Sequence, residues 1–355
     1  MAAPSPGAQP SAPQTVPQKP AETVCAEDGD VILVLQDGLR LRVSAVVLSL
    51  VSPVFKTMLG PNFLEGHAPR TAENPKEIQL PDDSATAMIL LARLTHGLPS
   101  GPKAFENSML LSLPTWLLEL GVVADKYDCI AAVTMAAQAL MLHHVARMKF
   151  ETSATISKPT VDGYAKFAAA AFLLRMDTLF AFFTRRLVLD AVRSFGEIFA
   201  TQVHGLVPSS VILGLEEQRT AVREYLLATV ADSAQGKCKN KFCFWKATGG
   251  TYPAELARLL SLHRWPPPWS AHRVRSVLQR LYTTSEPLAL VNEYRCKHPN
   301  PSFLSILELQ QICHTVSERA WGLCLDCARQ DKLQSRCEHI KELKVCPMND
   351  PFIQV

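Results

Sequence analysis

The sequence predicts an α+β domain of about three strands and about five helices over residues 28–146, followed by an all-α C-terminal region. Two observations predict the first part. At Asp30 a polar, proline-rich stretch gives way to the apolar run Val31-Ile32-Leu33-Val34-Leu35; past Asp37-Gly38, residues Leu39, Leu41 and Val43 alternate with Arg40, Arg42 and Ser44. The second part is predicted by apolar residues that recur at helical spacing after residue 160.

Residues 1–27 carry Pro4, Pro6, Pro10, Pro13, Pro17 and Pro20 among Ala, Ser and Gln, too little apolar content to offset ordering entropy, and read as a flexible tail. The Asp30 run and the alternating run read as an antiparallel pair joined by a turn at Asp37-Gly38. From Ser44 to Leu59, apolar residues at mixed three- and four-residue spacing, with Ser52-Pro53 as N-cap and first helical residue, predict a helical hairpin. Glu77-Ile78-Gln79-Leu80 reads as a third strand, and Asp82 or Asp83 as the cap of a helix from Ser84 to His96. Leu98 to Leu113 reads as a loop, followed by helices over Pro114–Lys126 and Cys129–Val145. Residues 160–235 read as a helical extension, with Tyr164–Leu174 and Thr178–Val192 apolar on several faces. In the next helix Leu215, Val222, Leu226 and Val230 form a stripe opposite Glu216, Glu217, Arg219 and Arg223. Residues 236–355 read as a helical, cysteine-containing region with a rigid connector at Trp265-Pro266-Pro267-Pro268-Trp269.

With 355 residues, 48% hydrophobic and 19% charged, the chain can bury a sizeable core. A net charge of +3 without a basic stripe argues against direct nucleic-acid binding. The most apolar region, Tyr164–Val192, is interrupted by Lys166, Arg175 and Asp177, so no membrane span is expected. No apolar signal core follows Met1, and an intracellular location in cytoplasm or nucleus is expected. In that reducing setting the ten cysteines read as thiols or metal ligands rather than a disulfide frame.

Several motifs fall in one order: Asp30-Val31-Ile32-Leu33-Val34, Val47-Leu48, Ser52-Pro53-Val54-Phe55, Phe63-Leu64-Glu65-Gly66, Ile78-Gln79-Leu80-Pro81-Asp82-Asp83 and Val123-Ala124-Asp125-Lys126-Tyr127-Asp128-Cys129. Their order and spacing resemble the BTB/POZ consensus, in particular BTB proteins of filamentous fungi, over about a third of the chain. The resemblance implies a protein-protein interaction domain that homodimerises or binds partners as a scaffold or adaptor. Where many members carry a histidine and then a basic residue, this chain has Ser44 and Ala45, a departure at the groove with which BTB transcription factors bind corepressors. Asp30 is either a turn-capping carboxylate or a pocket residue at a dimer interface. In family members that serve ubiquitin ligases, a hydrophobic residue, any residue and a glutamate contact the cullin scaffold; Phe63-Leu64-Glu65 fits that pattern, against the alternative that Phe63 packs its loop and Glu65 is solvated. A transcriptional regulator without its own DNA-binding element is a further alternative.

Candidate metal chemistry lies between Cys296 and His339. Cys296-Lys297-His298, Cys324-Leu325-Asp326-Cys327 and Cys337-Glu338-His339 supply three short-spaced pairs, and a structural Zn2+ needs four ligands in a tetrahedron. Cys324, Cys327 and Cys337 lead, with the fourth place open among Cys296, His339 and His298; similar Cys-Leu-Asp-Cys segments occur near the end of the fungal BTB proteins that this region looks like. The alternative is a set of partly buried thiols. Cys238 and Cys243, beside Phe242, Phe244 and Trp245, read equally as ligands or core. There is no Gly-rich phosphate loop and no Gly-x-Ser-x-Gly elbow, so no catalytic residue is nominated and an enzyme is not expected.

Overall fold

A computed structural model describes residues 22–63, 69–98, 107–150, 160–234, 311, 315, 320–333 and 337. The N-terminal part is an α+β fold built on a four-stranded sheet of order β1-β3-β2-β4, with β1 Glu22–Val24, β2 Val31–Val34, β3 Arg40–Val43 and β4 Lys76–Gln79. β2 and β3 are antiparallel with Val31 opposite Val43 and Val34 opposite Arg40. Leu41 and Val43 point into the core while Arg40 and Arg42 stay half-buried, as the period of two requires. The connection is one 3-10 turn, Gln36–Gly38, closed by the Leu35 amide donating to Leu39 O at 2.8 Å, with Gly38 at φ 73°. Glycine takes that left-handed conformation without the usual steric penalty.

The sheet has one strand more than expected. Residues 22–24 fall within the predicted tail, yet β1 lies parallel to β3, with Thr23 opposite Leu41, and the Cys25 amide continues the ladder onto Arg42 O at 2.9 Å. Its apolar content is small; unused backbone groups on the β3 edge supply the partners. From β3, Arg40 bridges Glu77 of β4 at 2.6 Å and Glu22 of β1 at 3.8 Å, linking three strands by charge.

Among the described residues the first unit carries five helices: α1 Ala45–Val51, α2 Pro53–Met58, α3 Ala85–Thr95, α4 Asn107–Lys126 and α5 Ile130–Phe150. Ser52 breaks the first two: its hydroxyl accepts from the Phe55 amide at 3.0 Å and donates to Tyr127 O at 2.5 Å, so the cap is also a tether to the end of α4. The cap of α3 is Ser84, which accepts from the Ala87 amide, rather than Asp82 or Asp83. Gly97 at φ 67° ends α3, with the Leu98 amide bonded to Arg93 O at 2.9 Å. The stretch that reads as a loop through Leu113 is helical from Asn107, and Pro114 sits inside α4. A proline in mid-sequence suggested a helix start; here tertiary packing of Leu113, Leu117 and Leu120 outweighs the lost amide.

The helical extension follows as α6 Val161–Leu173, α7 Asp177–Asp190, α8 Phe195–Gln202 and α9 Ser209–Ala234. Phe167 stacks on Phe183 with ring centroids 4.8 Å apart, so α6 and α7 form the buried pair that their composition foretold. Helix α6 also packs on α4, where a Cβ on Gly121 would lie 3.2 Å from Leu173 Cβ. One hydrophobic core therefore runs from Leu33 and Leu41 in the sheet to Val211 and Leu215 in α9. The charged face expected on α9 is only partly solvated: Arg219 and Arg223 are buried with Leu215 and Val222. Arg219 donates to Arg193 O at 2.7 Å, pairs with Glu216 and lies over the Phe195 ring at 4.3 Å, which gives a buried guanidinium the partners it needs. No helix among the described residues is long and apolar enough to cross a membrane.

Candidate metal centre and partner face

The last described helix, α10 Leu325–Arg329, begins directly after Cys324. Extended backbone at Cys324 followed by one helical turn brings its sulfur and that of Cys327 to one side. The helix then reverses at Asp331, φ 55°, where the Lys332 amide donates to Cys327 O at 2.9 Å. The reversal allows Cys337 to return to the pair. The three sulfurs lie within 4.8 Å of one another, and Cys327 Sγ is 3.2 Å from Cys337 Sγ. Zinc–sulfur bonds of about 2.3 Å in a tetrahedron place sulfurs about 3.8 Å apart, so the cluster is within small adjustments of a metal-binding arrangement. Cys324 and Cys337 are buried, and Cys327 is half-buried. Burial first, then hydrogen bonds to the other two sulfurs, push the Cys327 thiol up to about 12, and burial raises Cys324 as well. Three crowded sulfurs resist ionising together, and a dication is the partner that stabilises them as thiolates. Cys324, Cys327 and Cys337 can thus hold a metal ion. Cys296, His298 and His339 lie outside the described residues, as do Cys238, Cys243, the Trp265–Trp269 connector and most of region 236–355.

The segment that carries the first two sulfurs is fastened to the helical extension far away in sequence. Thr184 in α7 donates its hydroxyl to Phe180 O at 2.7 Å and accepts the Leu323 amide at 2.8 Å. Gln218 in α9 donates to Gly322 O at 2.6 Å, and Arg329 donates to Phe172 O at 3.3 Å. Gly322 has φ 84°, and a Cβ there would stand 2.0 Å from Ala181 O. Gly214 in α9 leaves room for Leu323, whose Cδ2 is 3.3 Å from where a Cβ would be. Ala320, Leu323, Leu325 and Ala328 are buried by this docking. None of Thr184, Gln218, Gly322 or Arg329 stood out in the sequence; the one local signal is a glycine just before the Cys-x-x-Cys pair.

Of the remaining predicted residues, Asp30 and Phe63 lie near the α1–α2 hairpin. Asp30, half-buried, accepts the Ala45 amide at the start of α1 at 2.8 Å and pairs with Arg70 at 3.1 Å. Its carboxylate therefore acts as a cap on α1 from the neighbouring strand end. Phe63 is 46% exposed. Glu65 lies outside the described residues. Helix α1 has the sequence Ala-Val-Val-Leu-Ser-Leu-Val, yet only Ala45 and Leu48 are buried in it, whereas Val46 is 67% exposed and Leu50, one turn on, 80%. Val54 at the start of α2 adds a further exposed apolar side chain.

Comparison of the chain with protein-family models, with curated proteins and with solved structures gave no match.

Proposed function

We propose that this chain is a protein-protein interaction protein of the BTB/POZ type, a scaffold or adaptor that pairs with a second copy of itself through the α1–α2 hairpin. The exposed pair Val46 and Leu50 carries this reading, because two large apolar side chains one turn apart on a charge-free helix cost free energy by facing water. A two-fold interface must complement itself, and an apolar surface without charge between Ser44 and Val54 meets that condition without needing a matching opposite charge. The element order of strand pair, helical hairpin, strand alongside the first, and three further helices supports the family assignment. Light scattering on the full chain tests it. A dimer that Val46→Lys with Leu50→Lys converts to monomer is the expected result. A wild type that stays monomeric at high concentration overturns self-pairing, and a different protein captured only by the unsubstituted face would replace the second copy as occupant.

The exposure of Phe63 favours a second reading, an adaptor that presents Phe63 and Glu65 to a cullin scaffold. Here Phe63→Ala and Glu65→Ala each abolish cullin capture while leaving self-pairing intact. Capture unchanged by both removes this reading.

The same protein holds one structural Zn2+ on Cys324, Cys327 and Cys337, with the fourth ligand drawn from Cys296, His339 or His298. Metal analysis of the full chain should find one zinc, lost on Cys324→Ser with Cys327→Ser.

A further inference from the structure

We propose that metal binding at Cys324, Cys327 and Cys337 and docking of residues 320–333 onto α6, α7 and α9 are thermodynamically coupled, so that a thiophilic dication acts as the clasp returning the C-terminal part of the chain to the helical extension. The proposal rests on the metal reading above and adds what the metal does.

Helix α10 is five residues long, and a helix that short does not persist in water without tertiary contacts. Its contacts are two anchors that bracket the first two sulfurs. Before them, the Leu323 amide is held by Thr184 and the Gly322 carbonyl by Gln218, partners 139 and 104 residues away in sequence. After them, Arg329 reaches Phe172 O, 157 residues away, with its guanidinium 5.6 Å from the Phe172 ring centroid. Docking therefore sets the backbone from which Cys324 and Cys327 project, and leaves Cys337 and the fourth ligand to be brought in by the rest of the chain. An undocked segment would have to be ordered by the metal itself, so its affinity for the ion is lower; a docked one is pre-organised. Linkage makes the relation reciprocal: whatever loosens docking weakens the metal, and removal of the metal loosens docking.

Shape complementarity marks the docking as specific. Gly322 passes so close to Ala181 O that no side chain fits, in a left-handed conformation that other residues rarely adopt, and Gly214 opens the space that Leu323 fills. Neither glycine is near a requirement of metal ligation as such; both serve the seat.

The test uses the full chain, with Zn2+ affinity read by competition against a chromophoric chelator. Gly322→Ala and Thr184→Val leave every sulfur in place and should each weaken Zn2+ binding by about tenfold, within the usual range of coupling between sites. Thr184→Ser keeps the hydroxyl that accepts the Leu323 amide and should bind as the wild type does. Hydrogen exchange gives the reverse arm: stripping zinc from the wild type should speed exchange at Leu323 and through α10 while leaving the β2–β3 ladder protected. A wild type that binds zinc, with Gly322→Ala and Thr184→Val binding it equally well, overturns the coupling alone. Unchanged exchange at Leu323 after stripping does the same. A wild type that binds no zinc overturns both the coupling and the metal reading.

Discussion

The phenol of Tyr127 donates to a carboxylate oxygen of Asp83 across 2.6 Å, and both side chains are buried. Lys126 Nζ meets the other oxygen at 2.7 Å, and the Tyr127 ring lies flat on Phe55 with centroids 4.2 Å apart. The end of α4 is thereby joined to the turn before α3 and to α2. Burial, then the bond to Asp83, drive the phenol well above the usual tyrosine range. Tyr127→Phe keeps the stacking and leaves one Asp83 oxygen without its donor, which should lower unfolding free energy by about 1–3 kcal/mol in a urea titration.

His96 supplies a pH response. Its Nε2 accepts the Ser44 amide at 3.0 Å, while Nδ1 lies 2.8 Å from Ala92 O, so the neutral ring protonated at Nδ1 satisfies both contacts. Burial is the largest influence and lowers its affinity for a proton below the ordinary value of 6.5. Because the unfolded chain then binds the proton more readily, the stability contribution is full above that ordinary value and is lost as pH falls through the window beneath it. Chemical denaturation across that window should show a steeper acid loss for the wild type than for His96→Gln.

Helices α4 and α6 touch closely at Gly121 and Leu173, where the first unit meets the helical extension. Gly121→Leu overfills that contact and should cost about 1–3 kcal/mol. With one core spanning both units, wild-type thermal unfolding should be a single transition, and the substitution should move it down by calorimetry.

Leu50→Lys separates association from folding. The side chain is 80% exposed, so the monomer's stability should change by no more than about 0.5 kcal/mol while any self-association falls. Paired denaturation at low protein concentration and sedimentation at high concentration would read the two effects independently.

Most elements were legible from neighbouring residues alone. Ser52-Pro53 marks the break between α1 and α2 because a cap needs only an amide three residues on. The alternation of Leu41 and Val43 with Arg40 and Arg42 marks β3 because one face meets a core. Helix α8 leaves little trace in the sequence, being eight residues long and introduced by Ser194 without a side-chain cap bond. At Asp83 the likeness to a capping residue misled: the carboxylate is spent on Lys126 and Tyr127, more than 40 residues away, and Ser84 does the capping.

The sequence by itself determined the α+β character, the helical extension and the short spacing of Cys324 and Cys327, since turns, caps and periodicity act within a few residues. Only the tertiary structure decided that β1 pairs with β3, that Arg219 is buried rather than solvated, that Cys337 joins the other two sulfurs and that Gly322 seats on α7. Those outcomes depend on which surfaces meet across long separations in sequence, such as the 139 residues between Thr184 and Leu323. Backbone edges, small residues and unsatisfied donors choose their partners by geometry, and that geometry exists only once the core has formed.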